Sequence, residues 1–178
     1  MNGEIICVGT ELLLGNIVNT NARFLSEELA SLGINVYNQS VVGDNADRIK
    51  QELSASLKRS QLIVLTGGLG PTEDDMTKEC VASLFSLSLV EDPESRAQIE
   101  AYFERTGRTM TKSNYKQALM PKGCHIFKND VGTAPGCAIE HGGNTVIILP
   151  GPPVEMEYMF KKYFRPYIEK KSKEKLWD

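Results

Sequence analysis

No stretch of this 178-residue chain is apolar for long enough to cross a bilayer as a helix. The N-terminal MNGEIICVG lacks a basic stretch followed by an apolar core, so no secretory leader is expected. It reads instead as a first strand. Histidine is scarce, with two residues, and neither has a second His or a Cys at metal-ligand spacing. His125 falls in an expected strand and His141 in a turn. That scarcity leaves no Ser-His-Asp or Cys-His grouping, which argues against covalent nucleophilic catalysis. The four cysteines, Cys7, Cys80, Cys124 and Cys137, form no CxxC pair. They read as free thiols of a reducing compartment, and a cytoplasmic location is expected. There is no excess of positive charge. The formal net charge of -3 gives no global field for nucleic acid, and neither nucleic acid nor membrane is an expected partner. Internal repeats, low-complexity segments and interdomain linkers are also missing.

What is present is ordinary: 41% hydrophobic and 24% charged residues, with 15 Gly and 8 Pro. That excludes disordered, collagen-like and coiled-coil chains. The length suits one domain, taken here as residues 1–168, with a basic tail over 169–178. From Lys161 onward there are seven Lys/Arg and three Asp/Glu, so a local net of +4 leaves -7 for the remainder. The lysines alternate with glutamates, which suits a solvated helix end favoured by the helix dipole.

Strand and helix patterns alternate from the start. Glu4 to Val8 is a short apolar run closed by Gly9. Asn21 to Leu32 has Phe24, Leu25, Leu29 and Leu32 on one face, and Gly33 follows as a helix stop. Strand-like 34–42 precedes a helix over 46–57. The continuous apolar run 61–66 is typical of a central parallel strand, and helix resumes from Thr72 to Leu84. Three βα units in succession predict a parallel sheet covered on both faces. Helices are then expected over 94–105 and 113–119, and strands over 124–127, 137–140 and 144–149. The last two flank a hairpin-like turn, so an antiparallel excursion is expected. A closing helix over 154–168 is interrupted or ended near Pro166.

The loop Thr66-Gly67-Gly68-Leu69-Gly70-Pro71-Thr72-Glu73-Asp74-Asp75 follows the most buried strand. Open α/β sheets bind ligands at that edge. Glycines let backbone N–H groups approach a phosphate closely, and Thr66 and Thr72 add hydroxyls. The loop is not a Walker A motif, because no Gly-Lys-Ser/Thr follows, nor is it GxGxxG. Glu73, Asp74 and Asp75 are expected in the first turn of the following helix, where one acid serves capping. Three beside a phosphate loop suggest a divalent cation between carboxylate and phosphate oxygens. The loop after the first strand brings Thr10, Glu11 and Asn16 to the same edge, with Asn21 opening the next helix. The loop after the second strand brings Asp44, which doubles as a candidate N-cap. The cationic run 108–117 offers Lys116 as an anion contact on a lid, or simply a solvated helix face. The turns 129–136 and 149–155 are marked only by their Gly and Pro content.

The segments VGTELLLGNIVNTNARFLSEELASLG, VVGD, TGGLGPTEDDMT, RTMTKSNYKQALMP, NDVGTAPG and LPGPPVEM, in this order, resemble the N-terminal domain of the competence/damage-inducible (CinA) family. That domain belongs to the wider molybdopterin-binding family of molybdenum cofactor biosynthesis. The resemblance spans residue 5 to about 160, nearly the whole chain. It implies a three-layer α/β/α sandwich with a mainly parallel sheet, and a homodimer. It implies an enzyme that hydrolyses the pyrophosphate of nucleoside-diphosphate-linked compounds such as ADP-ribose with Mg²⁺, Mn²⁺ or Co²⁺. The alternatives are molybdopterin binding or adenylyl transfer, and a non-enzymatic nucleotide-binding or interaction domain. The small-molecule partner is accordingly a nucleotide or a pterin. Asp44 and Asp75 match the family's functional acids and are expected to be catalytic. Gly67, Gly68 and Gly70 match its phosphate loop. Glu11, Asn16 and Asn21 lie in the stretch particular to the CinA branch, and Gly136 and Pro150, Gly151 and Pro152 match loops bordering the pocket. The expected metal ligands are Asp74, Asp75 and Glu11. Full-length CinA proteins add an amidohydrolase domain, and its activity is not expected of these 178 residues.

Overall fold

The structure, a computed structural model, describes residues 1–175. The chain begins with β1 (Asn2–Val8), a short α1 (Thr10–Leu13), α2 (Thr20–Ser31), β2 (Asn35–Val42), α3 (Ala46–Arg59) and β3 (Leu62–Thr66). It continues through α4 (Thr77–Leu84), β4 (Leu89–Glu91), α5 (Pro93–Thr106), a 3₁₀ segment (Lys112–Ala118) and β5 (Leu119–Pro121). The last elements are β6 (His125–Phe127), β7 (Gly136–His141), β8 (Asn144–Leu149), α6 (Pro153–Met159), a π-helical turn (Phe160–Phe164) and α7 (Arg165–Lys175). Residues 176–178 of the expected tail lie outside the described residues.

The main sheet has the order β2-β1-β3-β8-β7-β6. β2, β1, β3 and β8 run parallel, and β7 and β6 add the expected antiparallel excursion. Chain direction across the sheet reverses between β1 and β3, so the loops after these strands part there and leave a crevice. The fully buried β3 forms because both of its faces are covered. α2, α6, the π-helical turn and α7 pack on one face through Leu25, Leu29, Met156, Phe160, Phe164 and Ile168. α3 and α4 cover the other through Ile49, Leu53, Val81 and Phe85. The three-layer expectation holds. No helix among the described residues is long and apolar enough to cross a membrane.

Two elements differ from the sequence reading. Helix α4 starts at Thr77, not Thr72, because Thr72 to Met76 closes a separate turn. Glu73, Asp74 and Asp75 therefore do not occupy a helical first turn. A small sheet of β4 against β5 was not foreseen, and the segment before β5 is a 3₁₀ helix. The closing helix is interrupted near Pro166 but continues. Proline has no N–H to give and crowds the carbonyl four residues back, and the π turn at Phe160–Phe164 just before it absorbs that misfit.

One charged group is built into the core edge. Glu4 on β1 is 2% exposed. It accepts from Arg59 Nε at 2.7 Å, Arg59 Nη2 at 3.0 Å and Ser60 Oγ at 2.9 Å. Burial pushes its carboxyl up, but the hydrogen bonds from Arg59 and Ser60 outweigh that and hold it below its ordinary value. A depressed carboxyl stabilises fully above the unfolded-state pKa, and that stability is lost as pH falls through the folded-state value. Glu4→Gln is therefore expected to cost about 1–3 kcal/mol at neutral pH. Urea unfolding from about pH 6 down to pH 3 should show the gap between wild type and variant closing as the acid limit is approached.

Candidate functional site

The crevice at the carboxyl edge of the sheet is a cavity of about 530 Å³. Its walls come from the loops after β1, β2, β3 and β8, the start of α2 and the turn before β7. Of the residues expected at the site, Glu11, Asn21, Asp44, Thr66, Gly67, Gly68, Gly70, Asp75, Pro150, Gly151 and Pro152 line it. Thr10, Asn16, Thr72, Asp74, Lys116 and Gly136 do not, each for a visible reason.

Thr10 stands behind the wall and orients Asp44. Its N–H and Oγ1 donate to Asp44 Oδ2 at 3.3 and 3.2 Å, and its Oγ1 accepts from Asp44 N at 3.1 Å. The N-cap of α3 is Asn45, whose side chain accepts from Arg48 N, so Asp44 is released from the capping role. Asn16 is an exposed loop residue. Thr72 holds Asp75: its N–H and Oγ1 donate to Asp75 Oδ2 at 3.1 and 2.7 Å. Asp74 faces solvent beside them. Lys116 braces this turn from outside, with Nζ donating to the carbonyls of Thr72 and Asp75 and lying 3.8 Å from Glu79. Gly136 opens β7 and packs under the Ile148 carbonyl and Met159, a core position.

The glycine loop is fixed at its base. Gly67 N donates to the Leu149 carbonyl at 3.1 Å, and Thr77 Oγ1 donates to the Gly67 carbonyl at 2.8 Å. Gln117 Nε2 donates to the Leu69 carbonyl at 3.3 Å. The three N–H groups of Gly68, Leu69 and Gly70 find no acceptor among the described residues. Asn21 crosses the floor, and its Nδ2 donates to Thr66 Oγ1 at 3.1 Å and to the Gly151 carbonyl at 2.8 Å. Thr66 Oγ1 in turn donates to the Pro150 carbonyl at 2.8 Å. Asn21 is 9% exposed, and its Oδ1 has no partner.

Four carboxylates, Glu11, Asp44, Asp75 and Glu155, line the cavity, and no Lys, Arg or His does. Sequence reasoning assigned no ligand role to Glu155, Gln117, Thr133 or the apolar Leu12, Ile17 and Val18, which also line it. The one readable signal for Glu155 was an acid directly after the LPGPPV turn. The expected metal ligands do not converge. Asp74 lies outside the cavity, Asp75 is spent on Thr72, and no group of three His, Cys, Asp or Glu among the described residues is arranged to hold an ion. The side chains of the described residues do not fit a preformed metal site.

Comparisons with known proteins show the family and the fold. Residues 4–170 match the family described as "Probable molybdopterin binding domain". A competence-damage inducible protein of Geobacillus sp. is 58% identical over 94% of this chain and 40% of its own length. One of Caldicellulosiruptor saccharolyticus is 54% identical over 99% of this chain and 43% of its own length. The chain thus spans about two fifths of the curated relatives it matches. The solved structure of the protein CinA from Thermoplasma acidophilum is 40% identical, with a TM-score of 0.84 over 93% of this chain and 96% of that one. The molybdopterin biosynthesis enzyme MoaB of Thermus thermophilus shares the fold at 20% identity, with a TM-score of 0.59 over 89% and 86% of the two chains.

Behind the loop, Lys78 on α4 is 3% exposed. Its Nζ donates to the carbonyls of Leu119 at 2.7 Å, Gln117 at 3.2 Å and Lys116 at 3.4 Å, which ties the 3₁₀ segment to the loop's helix. Burial lowers its pKa from 10.5 to about 8. Above pH 8 the folded chain releases this proton while the unfolded chain keeps it, so this group's contribution to stability rises toward pH 10.5. In urea unfolding, wild type is expected to gain stability relative to Lys78→Met over that window. A flat difference would contradict the assignment.

Proposed function

The chain belongs to the molybdopterin-binding domain family, and we propose that its cavity binds a phosphorylated pterin with the phosphate seated on the N–H groups of Gly68, Leu69 and Gly70. The observation that carries this reading is that run of consecutive N–H groups, left without acceptors on a loop that forms the cavity wall. A phosphate offers acceptors, and charge-assisted bonds to oriented backbone N–H groups are the stronger kind. The cavity volume of about 530 Å³ is in the range of small-molecule sites. Leu12, Ile17, Val18 and Ala134 add apolar wall for a flat ring. The names of the relatives with this fold point the same way, because molybdopterin is a pterin carrying a phosphate.

Four carboxylates and no cation line the cavity, and two of those acids are held by hydrogen bonds from neighbouring residues. Asp75, the acid nearest the glycine loop, directs its carboxylate oxygen at Thr72. Lys116 places a cation behind the same turn. Asp44 is engaged by Thr10. The chemistry then open to a held phosphate is attack on the α-phosphorus of a nucleoside triphosphate, which forms the new phosphoanhydride bond and releases pyrophosphate.

A second reading, hydrolysis of a dinucleotide pyrophosphate such as ADP-ribose, is favoured by one observation. Glu11, Asp44 and Asp75 line the same cavity and offer candidate proton acceptors.

Fluorescence titration of the protein with 6-hydroxymethylpterin phosphate and with the unphosphorylated alcohol tests the first reading. The phosphate form is expected to bind about 10-fold tighter or better, the value of one to two charge-assisted hydrogen bonds. Equal binding would refute it. Incubation with ADP-ribose and Mg²⁺, Mn²⁺ or Co²⁺ tests the second: AMP release that is abolished in Asp75→Ala would support it, and no turnover would remove it.

A further inference from the structure

One carboxylate of the cavity wall has an oxygen to spare for a ligand. Glu155 stands in the first turn of α6 and lines the cavity opposite no cation. Its Oε1 accepts from Asn129 Nδ2 at 2.8 Å. Among the described residues Oε2 accepts no hydrogen bond, and no Lys or Arg pairs with this carboxylate. Burial pushes the Glu155 carboxyl up.

The position of this group is determined by its neighbours. Asn129 is 9% exposed, and every polar atom of its side chain is used. Nδ2 donates also to the Ala134 carbonyl at 2.8 Å, and Oδ1 accepts from Val131 N at 3.1 Å and Gly132 N at 2.7 Å. A side chain at Gly132 would overlap the Glu155 carboxylate, so the glycine makes room for it. A carboxylate half-buried without a cation is costly, and so is a buried acceptor without a donor.

We infer that Glu155, positioned by Asn129 and Gly132, reads the ring of the bound ligand by accepting hydrogen bonds from adjacent N–H groups. The ligand class is thereby narrowed to heterocycles with a 2-amino-4-oxo edge, whose amino group and ring N–H lie side by side. This inference rests on the pterin-phosphate reading of the cavity. A carboxylate repels the phosphate and so fixes which end of the ligand faces it. A ring that presents a lone-pair nitrogen or a carbonyl in place of either donor sets acceptor against acceptor.

The test compares two probes that differ in one group. These are 6-hydroxymethylpterin phosphate and the corresponding lumazine phosphate, which carries oxygen in place of the 2-amino group. Both are titrated against wild type, Glu155→Gln and Gly132→Ala, with thermal melts to verify folding. Wild type is expected to prefer the amino compound about 10-fold or more, as for loss of a hydrogen bond to a charged group. Glu155→Gln keeps the shape and the Asn129 contact but exchanges the charged acceptor for an amide. Its preference should fall below about 3-fold while lumazine phosphate binds as it does to wild type. Gly132→Ala retains the charge but displaces it, and should show the same loss. Equal binding of the two probes by wild type, or an unchanged preference in Glu155→Gln, overturns this inference and leaves the phosphate reading standing. Binding of neither probe by wild type overturns the phosphate reading and this inference with it.

Discussion

At Gly67 the ends of three strands come closer than any side chain would allow. Its φ of +105° lies in the region L-residues avoid, and a Cβ there would overlap the Val8 carbonyl at the end of β1. Its N–H is bonded to Leu149 at the end of β8, and Gly151 packs on its Cα from the other side. The chain leaving β3 is thereby turned sharply under the loop from β1. The cavity exists because the backbones meet at this point and separate above it. Thr66, Asn21 and Thr77 donate to the carbonyls of Pro150, Gly151 and Gly67, so strand ends, loop and helices are tied into one floor.

On that floor the distribution of hydrogen-bonding groups is lopsided. Side-chain acceptors dominate, and four of them are carboxylates. The unpartnered donors belong to the backbone of the glycine loop. Cationic side chains stand one layer back, where Lys116 and Lys78 hold carbonyls of the loop's turn and of the 3₁₀ segment. A ligand complementary to this arrangement is anionic at one end and rich in N–H donors at the other. A phosphorylated pterin has that polarity. Lys78 is buried where it ties the 3₁₀ segment and β5 to α4, and that burial lowers its pKa.

Much of the fold was legible because parallel-sheet strands are simple patterns. β3 is apolar at every position, and α2 and α3 carry clear one-face periodicity. The glycine loop was legible for the same reason: only a tight turn after a buried strand needs glycines so placed. What was not legible depended on which of two chemically equal neighbours takes a task. Asp44 and Asn45 are both good N-caps, and the structure uses Asn45. Thr72 with Asp75 has the spacing of a capping box, and the pair does bond, but it closes a turn five residues ahead of helix α4. Asp74 and Asp75 are adjacent in sequence, yet one faces solvent and the other the cavity. Glu155 was assigned no ligand role because Asn129 and Gly132, which position it, are more than 20 residues away in sequence. Strands β4 and β5, of three residues each, are too short for periodicity to reveal.

The central claim is that the backbone of the glycine loop binds the ligand's phosphate. Amide-resolved NMR of the ¹⁵N-labelled chain, followed as inorganic phosphate and then 6-hydroxymethylpterin phosphate are added, tests it most directly. The account predicts that the Gly68, Leu69 and Gly70 amide resonances shift downfield with either addition, as N–H groups gaining a charged acceptor do. Saturable shifts elsewhere on the molecule, with these three amides unmoved, would contradict it.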